Sequence, residues 1–427
     1  MPPAAGMVIT VQIMFPFTRH KTTVKVAPPA SEAAPQRALA VLLFVVFMNL
    51  LGFGLVVPLL PFFARSFHAQ PWQVGLVFSA YAMGGFVGEP FWGRLSDRIG
   101  RRPVLISTIF CNALTYGCMA FAPNIWAAFF IRFFGGMFSG NGSVVQGYIS
   151  DVSDPKKRAG KLARLGVAYN IGFIVGPTLG GWLANPAAGP AGFRAPFVTA
   201  ACLALLSALG VLLFVRESRT HTVGAVQMNR FALFGKGMRH PVVGPLLLLT
   251  FVSGFAFTGI ESTFGFWGQA RFSWGPRQVA TVFALVGVTN AIAQWFLTGR
   301  LSERFGEARM LALGMAVTVV AQLLLPFAEG LKSVAALMAL MALGQSVAFP
   351  NVAALISRVA HPDRQGQALG LNNATGALAR FFGPLAAGEG FATVSINTPF
   401  WLASLAVAPA IALALRAGRA VRRADLL

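Results

Sequence analysis

Between Ala38 and Phe63 the chain runs for 26 residues without one charged side chain. That exceeds the roughly 20 apolar residues a helix needs to cross the hydrocarbon core of a bilayer. Only 11% of the 427 residues are charged and 56% are hydrophobic. A soluble domain carries about 25% charged residues, so this chain lacks the polar material to cover a water-facing surface of its size. Lipid is the solvent of the fold.

Apolar runs separated by Gly, Pro and charged loops predict twelve spans, at about 38–63, 73–95, 103–122, 126–150, 162–184, 196–216, 242–267, 278–300, 309–328, 333–357, 366–390 and 397–416. The expected fold class is an all-α membrane protein. The longest charged interval divides it into a tail at 1–37, a six-helix half at 38–216, a linker at 217–241, a second half at 242–416 and a tail at 417–427. The short apolar stretch Val8–Phe17 is followed by Arg19, His20 and Lys21 with no small-residue cleavage site, so residues 1–37 read as a cytoplasmic tail rather than a signal peptide.

A net charge of +21 would suggest nucleic acid in a soluble protein. Here 27 of the 34 Lys and Arg fall in alternate loops and tails, five on the opposite side, and two (Arg132 and Arg380) inside spans. The positive-inside rule accounts for that distribution; it excludes nucleic acid as a partner and places both termini in the cytoplasm of a cell carrying the protein in its inner membrane. Trp72, Trp126, Trp182, Trp274 and Trp401 fall near the outer span ends, as an aromatic belt would. Cys111, Cys118 and Cys202 lie within spans without metal or disulfide spacing and read as small buried hydrophobes.

The chain also repeats itself. Gly93-Arg-Leu-Ser-Asp-Arg-Ile-Gly100 returns 206 residues later as Gly299-Arg-Leu-Ser-Glu-Arg-Phe-Gly306. Ala64-Arg65 returns as Ala270-Arg271 at the same offset, and Gly176-Pro177 as Gly383-Pro384 at 207. Two pseudo-symmetric, parallel six-helix halves are a transporter architecture, with substrate held near the midplane between them.

The loop after span two places Asp97 among Arg94, Arg98, Arg101 and Arg102. An acid so placed is poised for charge-assisted hydrogen bonds. Gly93 and Gly100 permit tight turns, and Pro103 suits the first turn of the next helix. A basic anchor loop would explain the arginines, but not Asp97, the glycine spacing or the copy in the second half.

This loop string, from Gly93 to Pro103, resembles the signature of the major facilitator superfamily, and the resemblance extends over nearly the whole chain from about residue 38. In that family the loop aspartate holds the outward-open state, a part that falls by match to Asp97 and Arg101. Arg132, in Arg132-Phe-Phe-Gly-Gly136, resembles the family's fourth-helix arginine, which is associated with proton coupling. The span-five string Gly172-Phe-Ile-Val-Gly176-Pro177-Thr-Leu-Gly180-Gly181 resembles the signature of drug–proton antiporters and implies export. Its rival reading is ordinary close packing, since small residues four apart let helices approach.

Gly52-Phe-Gly-Leu-Val-Val-Pro58-Leu-Leu-Pro61, Arg271-Phe-Ser-Trp274, Arg304-Phe-Gly-Glu307 and Arg364-Gln-Gly-Gln367 look like tetracycline efflux carriers. Those carriers have acids in helices one, three and nine and a histidine in helix eight. Asn49, Thr115, Thr318 and Asn290 stand at the matching positions. All four are neutral, which argues against transport of a magnesium–tetracycline chelate by that mechanism.

Ionisable residues inside spans are costly and mark function by default. Glu89 lies in span two, toward the cytoplasmic face, where it is placed to extend the Asp97 charge network. Glu261 is about 9 Å deep in span seven and Arg380 about 15 Å deep in span eleven, at 1.5 Å per residue. Glu261 is the leading candidate for proton coupling, with a static Glu261–Arg380 ion pair as the alternative. Asn49, Asn141, Gln146, Ser262, Thr263, Gln345 and Asn351 lie on helices that line the cavity in this fold, and Asn290 and Arg380 approach it; each has an interhelical hydrogen bond as its plainer reading.

No enzyme constellation, cofactor motif or metal site is expected: the five histidines are scattered through loops and tails, and no Gly-rich loop precedes a Lys-Ser/Thr pair. The expected function is proton-coupled efflux of a drug-like or amphipathic small molecule by alternating access. The alternatives are import or symport of a metabolite, and a non-transporting sensor on the same scaffold.

Overall fold

The computed structural model describes residues 8–10, 23–25, 33–139, 141–151, 155–218, 235, 237–359 and 365–425. The expected N-terminal tail and central linker lie largely outside these residues. A short antiparallel hairpin pairs Val8–Thr10 with Thr23–Lys25; everything else of regular structure is helical.

Span one is Ala33–Val56, a 3-10 turn at Val57–Leu59 and Leu60–Arg65. Pro58 and Pro61 withhold N–H donors, which loosens the helix there. Spans two and three are Pro71–Ile99 and Arg101–Ala120. Span four comes in two pieces, Ile125–Met137 and Asn141–Asp151, the first opened by Asn124, whose side chain accepts from the Ala127 N–H at 2.8 Å. Spans five and six are Pro155–Leu183 and Arg194–Phe214. In the second half, Val243–Phe272 forms span seven. Pro276–Ile292, a π-helical turn at Ala293–Thr298 and Gly299–Phe305 form span eight. Glu307–Leu324, Leu331–Val359, Gln365–Thr393 and Thr398–Asp425 complete spans nine to twelve.

Eight of these helices are long and apolar enough to cross a membrane by themselves. Spans two, four, five and eleven fall outside that set because glycines, prolines and charges interrupt them. These polar helices are held against protein: span two packs on spans four and eleven, and span five on spans one and eight. Contacts between spans two and eleven and between spans five and eight join the halves, while spans three and six pair at one periphery and nine and twelve at the other. The peripheral helices expose leucines such as Leu205, Leu209, Leu313 and Leu405, the outward apolar surface that lipid requires.

Two sequence readings change. Cys118 and Cys202 are exposed and Cys111 partly so, because spans three and six turn those faces outward. Trp274 is buried (7% exposed) rather than in a belt; it stacks on Phe272 at 4.8 Å and packs against Phe264. Trp72, Trp126, Trp182 and Trp401 keep at least a third of their surface exposed, as belt residues do.

Candidate functional site

The site begins where glycines let spans two and four touch backbone to backbone. A Cβ at Gly84 would run into the Phe133 carbonyl, one at Gly88 into the Met137 carbonyl, and one at Gly136 into the Tyr81 carbonyl. Trp92 donates from Nε1 to that Met137 carbonyl at 2.8 Å, where span four is interrupted and the oxygen is free. This contact brings Arg132 over the ring of Tyr81, 4.4 Å from its centroid. Arg132 is buried, and with Tyr81, Val56, Asn112, Thr115, Tyr116, Met119, Ile131 and Gly135 it lines a small, mainly apolar space inside the first half.

Three further charges lie between the halves. Glu261 stands within electrostatic reach of Arg380 and Arg132, and Glu89 within reach of Arg380. Among the described residues none of the four forms an ion pair within 4.0 Å, so a static Glu261–Arg380 bridge is not formed here. Arg380 is exposed and lies back along its own helix beside Gly376. The Ser79 hydroxyl donates to the Phe381 carbonyl at 2.6 Å, tying span two to span eleven next to that arginine.

Span five shows what its signature does mechanically. Gly172, Gly176 and Gly180 bring its backbone against Phe47, Leu51 and Leu55 of span one, Pro177 fits against Gly54, and Gly181 faces Ala280 of span eight. Gly383 meets Phe255 and Gly259 of span seven in the same way, so the internal repeat is also a repeat of packing.

The halves touch chiefly at the end of the bundle away from the basic loops. Arg65 donates to Gln269 at 2.8 Å, and Gly265 and Gly388 lie against Pro61 and Pro71. Toward the basic end Asn170 donates to Gln294 at 3.0 Å, at the π turn of span eight. Beyond it, Gly166 and Gly370 have open space around them.

At that end the loop string forms a closed network. Gly100 takes a φ of 108° between spans two and three, a conformation that favours glycine. Arg101 uses every edge of its guanidinium: Nη2 meets Asp97 at 3.0 Å, Nη1 donates to Ser96 at 2.7 Å and Nε to Asp151 at 3.2 Å. Gly147 leaves room for it on span four. Glu217 accepts from the backbone N–H groups of Arg101 and Arg102 at 2.8 and 3.1 Å, capping span three, and Arg102 donates to the Leu212 carbonyl at 2.7 Å. Gly93 meets nothing within 4 Å, and Arg98 lies exposed in the last turn of span two. Removing both capping acceptors with Glu217→Ala is expected to cost about 1–2 kcal/mol, read as a lower melting temperature of the purified protein.

The neutral candidates divide. Asn290 accepts from Ser346 at 2.5 Å, joining spans eight and ten, while Asn351 donates to the Val347 carbonyl one turn back on its own helix at 2.7 Å. Gln345 and Asn141 are buried, the latter with its amide nitrogen unpartnered. Asn49 is half-buried and Gln146 exposed. Sequence reasoning did not single out Tyr81, Asn112, Tyr116, Asp151 or Glu217. Only Glu217 carried a signal, as an acid directly after an apolar span in a chain with 13 acids.

The sequence profile described as Major Facilitator Superfamily matches residues 42–297 and 246–425. The chain belongs to the Major Facilitator Superfamily. It is 31% identical over 356 residues to the class C tetracycline resistance protein of Escherichia coli, across 82% of this chain and 88% of that one. To the quinolone resistance protein NorA of Staphylococcus aureus it is 27% identical, across 85% and 92%. Among solved structures, the human organic anion transporter MFSD10 aligns with a TM-score of 0.68 at 25% identity, across 91% of this chain and 100% of that one. A bacterial Spinster homologue aligns at 0.77 and 15% identity, across 92% and 99%, a likeness of fold alone. This facilitator is thus a multi-pass membrane transporter whose curated relatives include drug-efflux proteins.

Proposed function

We propose that this transporter exports a drug-like or amphipathic small molecule by alternating access, driven by protons flowing inward. The observation that carries the reading is the set Glu89, Glu261, Arg132 and Arg380, which spans both halves, with Arg380 in electrostatic reach of both acids and Arg132 of Glu261, yet among the described residues forms no ion pair within 4.0 Å. Intramembrane charges held without a contact partner are costly, and a carboxylate so placed can gain or lose a proton without breaking a bridge. Glu261 is the coupling acid in this reading, with Glu89 sharing Arg380. The basic end faces the cytoplasm of the inner membrane, and both termini lie there. The resistance relatives support export.

The test is proton movement in inverted vesicles, followed with a pH-sensitive dye under an imposed gradient and a panel of lipophilic cations, acids and planar aromatics. Substrate-triggered release is expected in the wild type and absent in Glu261→Gln. Release that survives in the variant removes Glu261 as coupling acid, and no release with any compound removes the antiporter.

A further inference from the structure

Span twelve is longer than the membrane it crosses. It runs as one helix of 28 residues from Thr398 to Asp425, a length of about 42 Å against a hydrocarbon core of about 30 Å. Ala410, Ala414 and Ala417 form its buried face, and Gly418 lies so close to Ala308 of span nine that a Cβ would clash. The opposite face begins with the outward-turned Trp401 and Leu405. Arg416 and Arg419, both exposed, continue that face at the basic end. With Arg422 and Arg423 they occupy helix positions within an arc of about 120°. Span nine has the same pattern: the exposed Arg309 stands one turn from Leu313, on the face that also exposes Val320. Because Ala308 meets Gly418, Arg309 and Arg419 come to one height on adjoining lipid-facing surfaces.

Protein acids do not neutralise this corner. Among the described residues Arg309, Arg416 and Arg419 form no ion pair within 4.0 Å, and Glu307 nearby is held by Arg358 at 3.1 Å. The first half closes the same corner differently. There Arg102 meets Leu212, the positions 206 residues before Ala308 and Gly418, and Glu217 caps span three. At the place of Glu217 the second half has Arg423. The positive-inside rule puts arginines at this end of the bundle. It does not align them with a lipid-facing stripe, nor exchange a capping acid for a cation.

We propose that the groove where spans nine and twelve meet binds the phosphate headgroup of an anionic phospholipid. Arg309, Arg416 and Arg419 hold the phosphate, and the acyl chains run along Leu313 and Leu415. A guanidinium fork matches phosphate oxygens, and basic sites between spans at this depth suit anionic headgroups. The site lies apart from Glu261 and Arg380, and it does not depend on the exporter reading.

The purified full chain in a neutral detergent tests it, titrated with dioleoyl phosphatidylglycerol or dioleoyl phosphatidylcholine and read by native mass spectrometry. The anionic lipid is expected to bind more tightly by about tenfold or more, since an arginine near a headgroup is worth about fivefold. Arg309→Gln combined with Arg419→Gln should erase that preference. Arg216→Gln, which alters an exposed arginine beside Glu217 in the first half, should leave it intact. Equal affinities in the wild type, a preference that survives the double variant, or the same loss in Arg216→Gln overturn the proposal. Glycerol 3-phosphate should not displace the lipid; full displacement would make this a site for free phosphate and overturn it as well. Should the double variant fail to fold, Arg419→Gln alone must shrink the preference about fivefold, and an unchanged preference removes the site.

Discussion

Gly84→Val is expected to yield no monodisperse, folded protein. Spans two and four meet with the Gly84 Cα against the Phe133 carbonyl, and any Cβ there lies inside the contact distance of a backbone oxygen. Backbone cannot swing aside as a flexible side chain does. The two helices must separate, and Gly88 and Gly136 lose their contacts in the same motion. Overpacking of this kind costs about 3 kcal/mol or more. In a bilayer no hydrophobic drive between helices offsets it, because lipid tails are as apolar as leucine and close packing is what holds helices together. Size-exclusion chromatography of the detergent-extracted variant reads the outcome. Gly117→Val is the control: Gly117 has nothing within 4 Å, and its variant is expected to elute as the wild type does. If Gly84→Val also elutes normally with unaltered melting, the close approach of spans two and four is wrong.

That contact also shows what a sequence can reveal of such a fold. Apolar runs long enough to span a bilayer, the copied loop and the uneven placement of Lys and Arg gave the architecture, because lipid leaves few ways to arrange a chain. Arg132, Glu89, Glu261 and Arg380 stood out because a charge inside an apolar run is conspicuous. Tyr81 and Tyr116 did not, since neutral polar residues in spans are ordinary, and their importance comes from what spans two, three and four bring beside them. Asp151 and Glu217 were hidden for another reason: each meets Arg101 from 50 or 116 residues away. The inward tilt of Trp274 was equally invisible, since Gly268 makes the pocket its ring fills.

The two copies of the loop predict opposite outcomes for the same kind of substitution. In the first half Arg101, with a side chain 12% exposed, bridges Asp97 and Asp151 and is hydrogen-bonded to Ser96. In the second half the charges are reversed. Glu307 occupies the position of Arg101 and meets Arg358, at the position of Asp151, at 3.1 Å with the arginine side chain 53% exposed. Arg101→Gln removes the guanidinium that lies between Asp97 and Asp151. With both carboxylates about a third exposed, the loss is expected near 2 kcal/mol, below that of a fully buried pair. Glu307→Gln breaks one solvent-screened bridge and is expected to cost about 0.5 kcal/mol. Adding Asp151→Asn to Arg101→Gln relieves the repulsion and should restore part of the melting temperature. It should not restore transport, because the joint between spans two, three and four stays unlatched. Melting curves and vesicle flux on the three variants decide it. Equal losses for Arg101→Gln and Glu307→Gln would mean that the network at the first loop is no more than a surface ion pair, and the gating role of Asp97 and Arg101 would fall with it.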